Sequence, residues 1–266
     1  MKIVFYNSIL FCFLFASCGN DMLLFDELFP DNAAYMNMQR PRGSYNYPVY
    51  PGTKKWTSFT TGQEMVDACQ IPVKTLHKMS TQAVIQAIWE YPLLGDFFVF
   101  HGGTYQSTFE NMFSSNNAYM EFCKRADAGV NLLERYVLVD PLTPMPRLAS
   151  QILEILISQP VFLAQLSKTE RKTLVETAFI KDDLRQKNLE HNSSARFNKH
   201  TTFLLISRVM VASNYIPYFN AVTSSEDLKA YNDGWDLYGF GFSYMGDYLD
   251  NHIALIINFA NNFLNE

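Results

Sequence analysis

The sequence predicts an all-α protein, and three observations support that prediction. Apolar residues recur at spacings of three, four and seven along much of the chain, as they do on a helix with one buried face. Hydroxyl and carboxyl residues with the spacing of a capping box precede several of these stretches. Long alternation of Val, Ile and Thr between hairpin turns, the usual sign of strands, is missing. The pattern predicts roughly eight to eleven helices in antiparallel pairs joined by short loops. A HEAT-like stack of these pairs is compatible with the same pattern.

The first two predicted helices begin at a hydroxyl residue. Thr61 and Glu64 fit a capping box, in which the hydroxyl and the carboxylate each accept a hydrogen bond from a free amide at the helix start. The next helix is expected to begin near Ser80, and the proline at 92 ends it at or before Tyr91.

The most regular stripe predicts one continuous helix from about Ala118 to Tyr136. Glu121, Lys124 and Asp127 occupy the opposite face, which is therefore expected to be solvated. The apolar stripe consists of Tyr119, Phe122, Cys123, Ala126, Val130, Leu133 and Val137.

Further helices are predicted in the second half of the chain. A capping box at Ser167 and Glu170 opens a long charged helix to about His191, on which Asp182 and Asp183 are expected to be solvated. The run TTFLLISRVMV at 201–211 is apolar almost all round and predicts a central, buried helix. The other predicted helices are one carrying Leu148, Ile152, Ile155 and Leu156, a short one opened by Ser224–Asp227, and a last one from about Tyr248 that carries Ile253, Ile256, Ile257, Phe259 and Phe263.

The N-terminus has the features of a secretory signal. Lys2 precedes a short apolar run, which ends in the small pair Ala16–Ser17 and then Cys18. The run is too short to span a bilayer, which takes roughly 20 apolar residues. The small-small-Cys ending resembles the lipobox of bacterial lipoproteins, although Phe15 stands where that family usually has Leu. An ordinary secretory signal with an incidental cysteine is the alternative.

The lipobox resemblance implies a membrane anchor. Residues 1–17 would be removed as a signal peptide, and Cys18 would receive a diacylglyceryl thioether and become the mature N-terminus. Several acyl chains, palmitate among them, hold a protein stably in a bilayer, whereas one chain binds reversibly. Gly19 rather than Asp follows the cysteine, which in Gram-negative lipoproteins implies the outer membrane.

The chain divides into a tether at 18–60 and a helical domain at 61–266. The tether contains the Pro- and Gly-rich stretch NYPVYPGTKKW without a helical period, so it is expected to be partly extended, with Tyr45, Tyr47 and Tyr50 lying against the domain. The stretch from MSTQAVIQAIWEYP to KRADAGVNLLERY resembles uncharacterised helical lipoproteins, which implies a shared fold and no particular activity. A net charge of −5 with scattered lysines gives no basic face for nucleic acid.

Catalytic and metal-binding motifs are weak. HGGTY at 101–105 and GFGFSYMG at 239–246 look like parts of an esterase, but Met245 stands where the nucleophile elbow of Ser243 requires Gly, and the helical pattern provides no parallel sheet. The histidines form no i, i+4 pair and no Cys-x-x-Cys is present, so no metal or cofactor is expected. We therefore predict no catalytic residue.

The remaining candidates are two cysteines and an aromatic segment. Cys69 and Cys123 form an even pair in an oxidising compartment, which allows a disulfide, or else two separate thiols packed as small hydrophobes. In the segment 231–248 rings alternate with Gly and Ser, so Trp235, Tyr238 and Tyr244 are either a platform for a sugar or peptide ligand or ordinary core residues.

Together these features predict a membrane-anchored envelope lipoprotein with a non-catalytic binding or interaction domain, whose partner is a glycan or a protein. The alternative is a hydrolase acting on cell-wall or glycan substrates, since residues from separate helices can form an active site without a linear motif. A third possibility, a structural subunit of an envelope complex, predicts a large exposed apolar patch.

Overall fold

The computed structural model describes residues 40–95, 105–141, 146–187, 195–234 and 246–266. In these ranges the chain forms 13 α-helices and a 3-10 turn at Trp56–Ser58, with no strand, which confirms the all-α class. The count exceeds the predicted range because the chain also forms single-turn helices. In chain order the helices are α1 Gly62–Ala68, α2 Val73–Leu76, α3 Thr81–Trp89, α4 Tyr105–Phe113, α5 Asn117–Phe122, α6 Ala128–Leu138, α7 Pro146–Ile157, α8 Pro160–Leu163, α9 Lys168–Lys187, α10 Ala195–Ala212, α11 Ile216–Ser224, α12 Glu226–Asn232 and α13 Gly246–Asn265.

Helix α10 is the centre of the bundle, as its apolar run predicts. It contacts α7, α8, α9, α11, α12 and α13, whereas α3, α5 and α6 pack together at the N-terminal end of the bundle. Residues 201–207 of α10 are all buried, and so are Val209 and Met210. In a solenoid each repeat touches only its neighbours, so the broad contacts of α10 describe a bundle with a central helix.

The predicted helix starts are confirmed by their caps. Thr61 and Glu64 make both hydrogen bonds of a capping box at α1. At α9 the Ser167 amide donates to Glu170 at 2.7 Å, and the Glu170 amide donates to the Ser167 hydroxyl at 3.3 Å. Ser80 caps α3 through the amide of Ala83, so these local signals were read correctly.

The last part of the predicted tether is packed against the helical domain. Tyr47 is buried, and its hydroxyl donates to the Ala87 carbonyl of α3 at 3.0 Å. The Tyr45 and Tyr50 rings meet the Tyr47 ring edge-on. Arg40 binds Glu90 with two hydrogen bonds of 2.8 and 2.6 Å, which raise the pKa of the arginine. The folded domain therefore includes residues well before position 61.

The single helix predicted from Ala118 to Tyr136 is wrong, because α5 ends at Phe122 and α6 begins at Ala128. Contacts across the chain stabilise the turn between them: the Arg125 side chain donates to the Met79 carbonyl at 2.9 Å, and Gln165 donates to the Arg125 carbonyl at 3.1 Å. The break shifts the buried face, so that Val137 at the end of the predicted stripe is 48% exposed. Spacings of three and four do not reveal such a shift.

A close approach of α6 to α8 predicts a sensitive glycine. A Cβ on Gly129 would lie 2.5 Å from the Phe162 carbonyl oxygen, which is backbone and cannot rotate away. We expect Gly129→Ala to reduce the free energy of unfolding by about 1–3 kcal/mol, as overpacking does, measured by urea denaturation. Gly62→Ala is the control, because a Cβ there meets nothing within 4 Å. Equal effects of the two substitutions would contradict the close approach.

Candidate functional site

Several sequence-predicted site residues lie outside the described residues. They are Cys18, Trp235, Tyr238, Tyr244, His101 and Ser243. The lipid anchor and the aromatic platform therefore stay predictions.

The two predicted disulfide partners are present as thiols. Cys69 is buried beside α1, and Cys123 is half-buried at the end of α5. Burial raises the pKa of Cys123, and the nearby Tyr119 hydroxyl, which shares a hydrogen bond with the thiol, partly offsets that effect. The structure has no bond between Cys69 and Cys123.

A cleft of about 420 Å³ opens between the end of α10 and the neighbouring helices. This volume falls within the range of about 300–1,000 Å³ that is usual for small-molecule sites. One wall is apolar and the other carries polar groups from α4, α7, α10 and α12. The lining residues are Gln106, Ser158, Pro160, Leu163, Arg208, Val211, Ala212, Asn232 and Asp233.

Arg208 is the principal charged group of the cleft. Its Nε donates to the Asn232 carbonyl at 2.8 Å, and its Nη1 donates to the Ser158 hydroxyl at 3.3 Å. No hydrogen bond from Nη2, and no ion pair of this arginine, occurs within the part of the chain that the structure describes. Burial lowers the pKa of Arg208 to about 10, partly offset by Asp233 and Glu110, so the side chain stays protonated at neutral pH.

Gly234 lies against the Arg208 guanidinium and the start of α4. It has φ 79°, a left-handed conformation that glycine adopts without strain. A Cβ at this position would lie 3.1 Å from the Arg208 Nη2 and 3.3 Å from the backbone nitrogen of Gln106 in the first turn of α4. A glycine therefore allows the guanidinium and the start of α4 to share this small space.

A second polar cluster, the Glu154 cluster, lies in the core of the bundle. The Glu154 Oε1 accepts hydrogen bonds from Tyr136 at 2.8 Å, Thr202 at 2.9 Å and Arg185 at 3.3 Å. The Oε2 accepts one from Thr201. Both ions of the Glu154–Arg185 pair are fully buried. Burial disfavours the charge of Arg185, but Glu154, Tyr136 and Asp182 together outweigh it and raise the pKa of the arginine.

Two neighbours of this cluster on α9 are Lys181 and Asp182, and the second differs from its predicted solvation. Lys181 is buried, donates to the Val139 carbonyl and lies 5.1 Å from the centre of the Tyr136 ring. Its burial lowers its pKa to about 8. Asp182 is half-buried, and desolvation raises its pKa, so only Asp183 of the predicted pair is solvated.

The Glu154 cluster and the Arg208 cleft differ in how easily a ligand can reach them. Glu154, Arg185 and Tyr136 are fully buried, so they cannot meet a substrate without the bundle opening. Arg208 lines an open cleft. The Glu154 cluster can therefore contribute to stability only, whereas the cleft is open to a solute.

The sequence analysis named none of these residues, although two of them left a signal. Glu154 is the one charged residue in QILEILIS, and Arg208 is the one charged residue in FLLISRVMV. A lone charge in an apolar helix must find a partner, because burying it otherwise is costly. Arg185 left no such signal, since its helix is rich in charge throughout.

The described residues contain no group of His, Cys, Asp and Glu that could hold a metal ion. None of the described helices is both long enough and apolar enough to span a bilayer. Comparisons of the chain with protein-family models, with curated proteins and with solved structures find no match.

The Glu154 cluster makes a prediction for stability. Arg185→Met leaves Glu154 as a buried charge without its cation, so we expect a loss of about 3–5 kcal/mol in the free energy of unfolding, measured with urea. Lys187→Met on the same helix is the control. It removes an ion pair with Asp183 whose side chains are 69% and 57% exposed, and we expect a loss below about 1 kcal/mol. A loss as small for Arg185→Met as for the control would contradict the role of the pair.

Proposed function

We propose that this protein is an envelope lipoprotein anchored through Cys18, and that its helical domain binds a small ligand in the Arg208 cleft without catalysing a reaction. The observation that carries the binding function is the Arg208 guanidinium. It lines an open cleft and has an Nη2 that is not used by any described residue. A positioned cation beside an apolar wall is the usual composition of a specific small-molecule site.

Binding is favoured over hydrolysis by the chemistry of the lining residues. A serine nucleophile needs a base within hydrogen-bond reach. The only hydroxyl among the described lining residues, that of Ser158, instead donates to the Ile155 carbonyl at 2.8 Å and accepts from Arg208. A hydrolase acting on cell-wall or glycan substrates would need a pair of carboxylates or an activated nucleophile, and Asp233 is the one carboxylate among these lining residues.

The anchor is tested by cell fractionation. We expect Cys18→Ala to move the protein from the membrane fraction to the soluble fraction, because the thioether that carries the acyl chains can no longer form. Cys12→Ala is the matched control, since that cysteine lies within the predicted signal peptide and leaves with it. A Cys18→Ala protein that stays with the membrane as fully as the control would show that the anchor is elsewhere or absent.

The binding function is tested by filling the cleft. Ala212→Leu adds three carbon atoms to the apolar wall, whereas Ala254→Leu adds the same atoms to an exposed position of α13. With a low-molecular-mass fraction of the cell envelope as ligand source, we expect the midpoint of thermal unfolding to rise for the native protein and for Ala254→Leu, and to stay unchanged for Ala212→Leu. Equal responses of the two variants would exclude this cleft. Steady conversion of a compound in the fraction would favour the hydrolase.

A further inference from the structure

The inner end of the cleft is cationic. The Arg208 Nη2 and the first turn of α4, which begins at Tyr105, face the same small space behind Gly234. A guanidinium forms its strongest hydrogen bonds with carboxylates and phosphates, so the ligand group bound here is an anion.

The cleft also carries a carboxylate, that of Asp233. Asp233 lines the cleft and is exposed, and both Asp233 and the exposed Glu110 act electrostatically on Arg208. Two nearby carboxylates repel a multiply charged anion such as phosphate but tolerate a single carboxylate. They also attract a cationic group on the outer end of the ligand. The charges therefore fit a molecule with a carboxylate at one end and an ammonium at the other.

The remaining wall restricts what lies between these two ends. Pro160, Leu163, Val211 and Ala212 are apolar and come from α8 and α10. They offer contact to short apolar side chains. The space of about 420 Å³ accepts a molecule the size of a dipeptide and excludes a long polymer from its interior.

We propose that the ligand of the Arg208 cleft is a short apolar peptide or amino acid bound as a zwitterion, with its carboxylate on Arg208 and its ammonium group at Asp233. This inference rests on the proposed binding function and names the ligand class of the same site. The apolar wall then contacts the ligand side chains.

The first test uses the native full-length protein in detergent and needs no substitution. L-alanyl-L-alanine, its C-terminal amide, its N-acetyl derivative and inorganic phosphate are titrated separately by calorimetry. We expect the dipeptide to bind. The amide should bind at least about tenfold more weakly, because it loses the charge-assisted hydrogen bond to Arg208. The N-acetyl derivative, which lacks the ammonium group, is also expected to bind more weakly. Phosphate binding as tight as that of the dipeptide would overturn the proposal.

The second test compares two arginines of similar surroundings. Arg171 donates from Nε and Nη2 to the Leu163 carbonyl and from Nη1 to the Ala212 carbonyl, so all three of its nitrogens are used by backbone next to the cleft. Arg208→Gln is expected to abolish the preference for the dipeptide over its amide, whereas Arg171→Gln retains it. Loss of the preference in both variants would mean that local packing, and not the Arg208 charge, selects the ligand.

Asp233→Asn tests the other end of the ligand. We expect the substitution to weaken binding of the dipeptide. Binding of the N-acetyl derivative should stay the same, because that derivative has no ammonium group for Asp233 to bind. If no zwitterion binds while the envelope fraction still stabilises the native protein and not Ala212→Leu, the ligand class is wrong and the binding function stands. If the envelope fraction also fails, the proposed function is wrong.

Discussion

One buried carboxylate, that of Glu154, sets the register of the helices around the centre of the bundle. It belongs to α7 and receives hydrogen bonds from Tyr136 of α6, Arg185 of α9 and Thr202 of α10. Taking a charged pair out of water costs several kcal/mol per ion, and the attraction repays this cost only when the geometry is good and the other lone pairs are satisfied. A small slip of any of these helices would leave the carboxylate short of donors. Apolar contacts alone do not impose such a condition, because they change gradually with position.

Two of the helices that the carboxylate joins, α7 and α10, also lead to residues that line the cleft. Ser158 follows Glu154 by one turn of α7, and its amide donates to the Glu154 carbonyl at 3.1 Å. Arg208 follows Thr202 by nearly two turns of α10. The pair Glu154–Thr202 and the pair Ser158–Arg208 are therefore successive contacts along one helix–helix interface. Because the first pair fixes the register, the second pair meets in the position that places Arg208 at the wall of the cleft.

Local physics explains which parts of this fold the sequence predicted. The caps at Thr61, Ser80 and Ser167 depend on atoms three residues apart, so they can be read directly. The central burial of α10 follows from composition alone. The turn between α5 and α6 depends on Arg125 reaching Met79, a residue 46 positions away, and no periodicity contains that information. The buried positions of Lys181 and Arg185 were missed for the same reason, since charged residues on a charged helix are normally solvated. The candidate cleft was missed because its residues converge from α4, α8, α10 and α12 and from the residue after α7.

Three arginines of this chain show how the surroundings decide what a buried cation does. Arg185 meets a carboxylate inside the core, where the pair can only contribute to register and stability. Arg171 is used by two backbone carbonyls and ties the end of α10 to α8 and α9. Arg208 makes its structural bonds with Nε and Nη1, yet its position at the wall of a cleft keeps Nη2 within reach of a solute. Because all three residues are arginines, the residue type alone does not predict which of these roles each one has. Access to solvent and the number of donors already used separate them, and both become known only once the helices are packed.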